Sequence, residues 1–270
     1  MRRAVPMLAA VMMASASAGA NAAAQPQPSP LQHLLQAQAP SSPAAAAKNV
    51  FKGQRGKAQR RGAYTLAVQT AVHWRYARID HELKAQSDKL GRIFNFRDLM
   101  LDQGRVLPPV ITASGPASQI DSAKSERTVV ATYRIEKRAR LVSTAPTWRT
   151  YLIHDYPVGD RPNPVLYPKT QKERTRWDNA IRRGWKAGIK QALNLFRTNL
   201  ARLQRDYIGM ARFSRLAAQG VVSVPIVAAN TPRIRVQGKA LAVGEREIRL
   251  TRTARWQHAH HWKPQASHAQ

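Results

Sequence analysis

The residue types that could carry chemistry are few in this 270-residue chain: fifteen carboxylates, eight histidines and no cysteine. Asp155 and Asp160 share a proline-rich stretch. Two such acids become a working pair only if the fold brings them together. Asp206 stands between Arg205 and Tyr207, a setting suited to charge pairing that holds a helix in place. His73 and His81 are eight apart, whereas a helical metal site places its ligands at i and i+4; they read as surface or boundary residues. The tail carries His258, His260 and His261. These could take up a metal opportunistically, but no acidic ligand or fixed scaffold accompanies them. No metal site and no cofactor is expected. A G-x-S-x-G elbow, an H-E-x-x-H pair and a Walker A loop are all absent from the sequence. The chain is therefore expected to bind and assemble rather than to catalyse.

Protein interfaces are anchored mainly by Trp, Tyr and Arg. The candidates here are Trp148, Arg149, Tyr151, Trp177 and Trp185. Each is as well suited to the chain's own core as to a partner.

The elements that must position these residues are legible in outline. Gly62 to about Leu90 reads as an amphipathic helix, with Ala63, Leu66, Thr70, Trp74, Ala77 and His81 on one stripe. Ile93–Leu101 reads as a short helix or turn, with Phe94, Phe96, Leu99 and Met100 making core contacts. The run Val106–Ile111 contains Pro108-Pro109 and must be extended. Thr112–Ser118 reads as a loop, and Thr128–Tyr133 and Arg140–Thr144 as strands. A short helix is expected over Thr147–His154, followed by a proline-rich loop at 156–168.

Thr170 with Glu173 forms a capping box. It opens a long amphipathic helix in the C-terminal half, whose apolar stripe runs from Trp177 to Leu216. A kink or break is expected in it, with Gly209 one candidate, and Gly184 and Gly188 lie four apart on one face. The opposite face is basic: Arg182, Arg183, Lys186, Lys190, Arg197 and Arg205. Gly220 closes the helix. Val221–Ala228 and three short runs at 234–236, 240–243 and 247–251 read as strands. The fold class is α+β: a helical majority with a small antiparallel sheet.

Several uncommon residues recur in an order that resembles the DotC family of the Dot/Icm type IVB secretion apparatus and the related TraI protein of IncI-type conjugative plasmids. The matching words are Ser143-Thr144-Ala145-Pro146 with Trp148-Arg149 and Tyr151-Leu152. Gly184-Trp185-Lys186-Ala187-Gly188 follows with Gln191-Ala192, Asn199-Leu200, Arg205-Asp206-Tyr207 and Gly209-Met210. Val222-Ser223, Pro225 and Val227-Ala228 complete the set, and upstream Arg92-Ile93-Phe94-Asn95-Phe96 and Leu107-Pro108-Pro109-Val110 agree.

The resemblance runs from about Gly62 to about Pro264. It implies a non-enzymatic scaffold in a hetero-oligomeric ring at the periplasmic side of the outer membrane. There, with a DotD-like subunit, it helps place a DotH-like subunit, and the cargo is effector protein or DNA–protein substrate. The family is typically lipidated on a cysteine after its signal peptide. This chain has no cysteine, so retention at the outer membrane is expected through partners alone.

Lys and Arg total 44 against fifteen acids, a formal charge of +29. That field attracts anions of every kind: nucleic acid, lipopolysaccharide, phospholipid head groups, acidic protein faces. A periplasmic protein binding nucleic acid or anionic glycan through charge is the alternative function. Residues 1–24 read as a signal peptide, with Arg2-Arg3, an apolar run and small residues at the cleavage site. Residues 25–61 are rich in Pro, Gln and Ala, then basic, and read as a disordered linker. A domain at 62–253 and a His/Trp-containing tail at 254–270 complete the expected organisation.

Overall fold

The computed structural model describes residues 30–37, 52–122, 125–129, 131–230, 233–237, 240–245 and 247–263. The segment read as a signal peptide lies outside the described residues. The fold is α+β. Among the described residues the α-helices are, in order, α1 (Pro30–Gln36), α2 (Lys52–Ala85), α3 (Ser87–Ile93), α4 (Trp148–Leu152) and α5 (Gln171–Ala218). The chain divides into two compact units, residues 1–87 with 152–200 and residues 88–151 with 201–270.

In the first unit α2 and residues 171–200 of α5 pack face to face. Ala63, Ala67, Trp177, Ala180 and Ile181 form a shared core with Tyr167. Gly184 and Gly188 make the close approach possible. A Cβ on Gly184 would sit 2.5 Å from the Tyr64 carbonyl oxygen, and one on Gly188 would sit 2.5 Å from that of Val68. The glycines therefore serve packing within the chain. The capping box forms as expected: Thr170 Oγ1 accepts from the Glu173 N–H at 3.3 Å, and Glu173 Oε2 accepts from the Lys169 N–H at 2.9 Å.

Two readings of this unit are corrected. Parts of the stretch read as a disordered linker are helical, namely α1 and residues 52–61 of α2. Leu31, Leu34 and Leu35 of α1 pack on the Trp177 core. Arg174 donates to the carbonyls of Leu35 and Ala37, tying down the end of α1. In α2, Arg55 pairs with Glu173 and Gln59 is buried. These partners lie more than a hundred residues away, so local composition does not reveal them. The buried row of α2 also differs from the expected stripe. It runs through Ala63, Leu66, Ala67, Ala71, Val72, Tyr76, Ile79 and Leu83, while Ala77 and His81 are exposed.

The second unit carries antiparallel strand pairs. β1 (Val106–Leu107) pairs with β6 (Arg140–Leu141), and β2 (Val110–Ser114) with β5 (Thr132–Lys137). β3 (Ala117–Ser122) pairs with β4 (Ser125–Val129), β7 (Ile226–Ala229) with β10 (Ile248–Arg252), and β8 (Arg233–Gln237) with β9 (Ala240–Glu245). Thr112–Ser118, expected as a loop, is largely strand. The single strand expected at Thr128–Tyr133 is instead the end of β4 and the start of β5, each with its own partner. Pairing opportunity overrides local propensity here.

α5 runs without a break through Gly209. That glycine faces β2: a Cβ there would lie 2.5 Å from Val110 Cγ1 and 3.1 Å from the Ile111 nitrogen. Its missing side chain lets the helix press against the strand. Gly220, at φ +72°, takes the left-handed turn that ends the helix, and the Val221 N–H then donates to the Leu216 carbonyl at 2.9 Å.

Candidate partner-binding cleft

Within the second unit, two separated sequence words line one cleft of about 600 Å³. One wall is Phe94–Arg97 with Met100, Gln103 and Gly104; the other is Ser143–Arg149. Each wall is locally built. Asn95 Nδ2 donates to Asp98 Oδ2 at 2.7 Å, and Asn95 Oδ1 accepts from the Arg97 N–H at 3.2 Å. A tight turn follows, with Asp102, Gln103 and Gly104 all at positive φ. Arg105 braces it through Asp102 Oδ1 at 3.2 Å. On the opposite wall, Pro146 precedes α4, where Trp148 is buried and the Arg149 guanidinium lies 4.6 Å from the Trp148 ring centroid.

The polar lining consists of hydroxyls, amides and two cations, Arg97 and Arg149. No carboxylate, imidazole or thiol is among the lining residues. Among the lining residues a serine or threonine hydroxyl therefore finds no carboxylate or imidazole to serve as its base.

Behind the cleft stands an aromatic and ionic support. Phe96 stacks on Tyr151 with ring centroids 5.6 Å apart, and Phe94 and Phe96 both meet Tyr207 edge-on. Asp206 is buried. Its carboxylate accepts from Lys137 Nζ at 2.6 Å, Tyr151 Oη at 3.1 Å and Arg205 Nη2 at 3.1 Å. Burial first, and then the Asp206 charge, push the Tyr151 phenol above its ordinary range, so it remains a donor. Asp206 thus pairs as its sequence neighbours suggested, and it also draws in Lys137 and Tyr151.

The five anchor candidates fall in different settings. Trp148 and Trp177 are buried, which makes them core residues. Tyr151 is half-buried and bonded to Asp206. Arg149 is exposed on the rim. Trp185 belongs to the first unit, half-buried, with Trp74 at 5.5 Å and Arg78 over the Trp74 ring at 5.2 Å.

Asp155 and Asp160 are both exposed in the loop. The acid that Asp155 influences is Asp80, whose carboxyl is raised chiefly by burial; Lys84 and His154 oppose this rise and Asp155 adds to it. Nothing in the sequence spacing signalled that neighbourhood. Nearby, Tyr76 is pushed up to about 12, chiefly by burial, and holds the Leu152 carbonyl and the Asn199 amide. His73 Nδ1 donates to the Tyr156 carbonyl at 2.6 Å, a structural bond. His258, His260 and His261 are exposed near one another. Among the described residues no group of three or more His, Cys, Asp or Glu is placed to hold a metal ion.

Both walls of the cleft lie inside the stretch that matches a known family. Residues 53–264 fit the family model described as type IV secretory system, conjugal DNA-protein transfer. No curated protein matches the chain. The match covers most of the sequence, so the chain belongs to the TraI family of type IV secretory system proteins, whose process is conjugal DNA–protein transfer.

Proposed function

We propose that this chain is a DotC-like, non-enzymatic assembly component of a type IVB secretion or conjugative outer-membrane core complex. It docks DotD-like and DotH-like subunits in a hetero-oligomeric ring and is held at the periplasmic face of the outer membrane by those contacts. The observation that carries this reading is the cleft. Two family-matching words, about fifty residues apart, line it together. They bring hydroxyls, amides, cations and apolar edges, and no acid–base or nucleophilic pair. The partner supplies acceptors and at least one carboxylate opposite Arg97 and Arg149.

The test uses cells that carry the intact secretion cluster. Arg97→Glu with Arg149→Glu reverses both cleft charges on exposed side chains. The expected result is loss of co-purification with the DotH-like subunit and loss of outer-membrane recovery, while the thermal midpoint falls no further than in Arg149→Gln, which also gives up the contact with the Trp148 ring. Normal co-purification by the charge-reversed protein overturns the cleft as the docking site. A wild-type protein that stays soluble whether or not the partner subunits are present overturns the assembly reading itself.

A further inference from the structure

The solvent face of α5 in the first unit carries a second feature, unrelated to the cleft. Arg176, Arg182 and Arg183 stand three before, three after and four after Asn179, spacings that gather side chains on one helix face. With Arg60 from α2 they enclose a hollow of about 350 Å³. Arg176 reaches back toward α2, its Nη1 4.0 Å from where a Cβ on Gly56 would stand. The arginines beside them are occupied: Arg55 by Glu173, and Arg174 by the carbonyls that end α1. Among the described residues, none of the four that line the hollow has an acid partner, and all four are exposed. Such a cluster repels itself and is relieved by a bound anion.

The chemistry of the ligand follows from the donors. Each guanidinium offers five N–H groups in a planar fork. A phosphate can accept from several such forks at once, whereas a carboxylate has only two oxygens to share. The hollow also opens onto a track. Arg183, Lys186, Lys190 and Arg197 continue along the same exposed face, about 32 Å from Arg176 to Arg197 at ~1.5 Å per residue. No Asp or Glu occurs between residues 179 and 205. The large exposed apolar side chains all lie off this stretch of α5, and a helix that lies on a bilayer needs them. A line of cations without apolar anchors suits a linear chain of phosphates better than a lipid surface. We propose that the hollow and its track bind the phosphate backbone of a nucleic acid, a property separate from the assembly reading above.

The test measures binding of fluorescent single-stranded and duplex oligonucleotides to the full chain over a range of salt. Arg176→Gln, Arg182→Gln and Arg183→Gln combined are compared with Arg134→Gln, Arg138→Gln and Arg252→Gln combined, which remove equal charge from exposed positions elsewhere. Each lost phosphate contact lowers the slope of log affinity against log salt by about 0.7–0.9. The track variant should therefore lose about two to three units of slope, and the control much less. Replacing the same three arginines by lysine keeps the charge and the fold; it should keep the slope and weaken binding. Equal losses in the track and control variants, or no oligonucleotide binding at physiological salt, overturn the proposal. Binding of anionic phospholipid vesicles or inorganic pyrophosphate that depends on these arginines, with oligonucleotide binding unaffected, also overturns it and assigns the hollow to a head group or a free phosphate.

Discussion

The two halves of α5 combine close approach and buried charge in different proportions: Gly209 lets the second half press on β2 as Gly184 and Gly188 let the first half press on α2, but only the second half buries a carboxylate. Residues 171–200 are held by what is missing: Gly184 and Gly188 carry no side chain, and the helix lies directly against the α2 backbone. Residues 201–218 are held partly by something added, a buried carboxylate on Asp206 with three donors around it. The same 3.6-residue periodicity runs through both halves, so periodicity alone does not say which mode operates. A close backbone approach gains dispersion contacts along its length and tolerates no added volume. A buried ion pair depends on its geometry and is costly to break by removing one partner.

The largest effect is expected at the glycine contact. Gly188→Val places new atoms where a Cβ alone already lies 2.5 Å from the Val68 oxygen and 2.7 Å from the Ala71 Cβ. Overpacking against backbone should cost about 3 kcal/mol or more. Gly91→Ala in α3 is the control, because nothing lies within 4 Å of its Cβ position. There, helix propensity should give a gain of up to about 1 kcal/mol. Urea unfolding of the two variants checks both signs. A Gly188→Val protein as stable as wild type would break the comparison, because the first half would then not depend on close approach.

The second half is probed by Asp206→Ala. It strips the acceptor from the half-buried Tyr151 hydroxyl and separates Lys137 from its partner. The Lys137 and Arg205 side chains are 40 % and 42 % exposed, and water offsets much of their loss. The expected cost is about 2 kcal/mol. Asp206→Asn, which keeps an acceptor for Tyr151, should cost less. If Ala and Asn cost the same, the hydrogen bond to Tyr151 contributes nothing and the charge alone holds this half.

What the sequence reveals divides along the same line. The close approach is legible as one option, because Gly184 and Gly188 lie within about one turn of each other on one face, but which element they approach is not. The capping box at Thr170 and Glu173 is legible for the same reason: both partners lie within one turn. Pro108-Pro109 dictates extended backbone by sterics alone. The Asp206 site is half legible. Its neighbour Arg205 shows in the sequence, but Lys137 and Tyr151 arrive from 69 and 55 residues away. The cleft joins a segment read as making core contacts, Ile93–Leu101, with one read as a strand end and a short helix carrying the anchors Trp148 and Arg149. Arg60 sits in a basic run that reads as linker, and only the packing of α2 on α5 turns it into one wall of the hollow. Long-range partners decide these features, and no local pattern encodes a partner's position.

The smallest predicted effect sharpens the account of the first half at its N-terminal end, where the hold is polar rather than steric. Burial pushes the Glu173 carboxyl up, but the N–H groups of Lys169 and Thr170 and the Arg55 guanidinium outweigh it and hold the group below its ordinary range. A depressed carboxyl binds its proton more weakly in the folded state than in the unfolded chain. Its stabilisation is therefore complete above the unfolded value, roughly 4.3, and is lost as pH falls through the lower folded value. Glu173→Gln removes the charge that Arg55 faces while leaving an oxygen for the cap. The expected loss at neutral pH is about 1 kcal/mol, within the range of a helix cap. The gap between wild type and Glu173→Gln should close as pH drops below about 4. A gap that stays constant down to pH 3 would mean that ionisation of Glu173 does not set it, and that the amide's poorer acceptance from the Lys169 N–H and Arg55, rather than lost charge, weakens the start of α5.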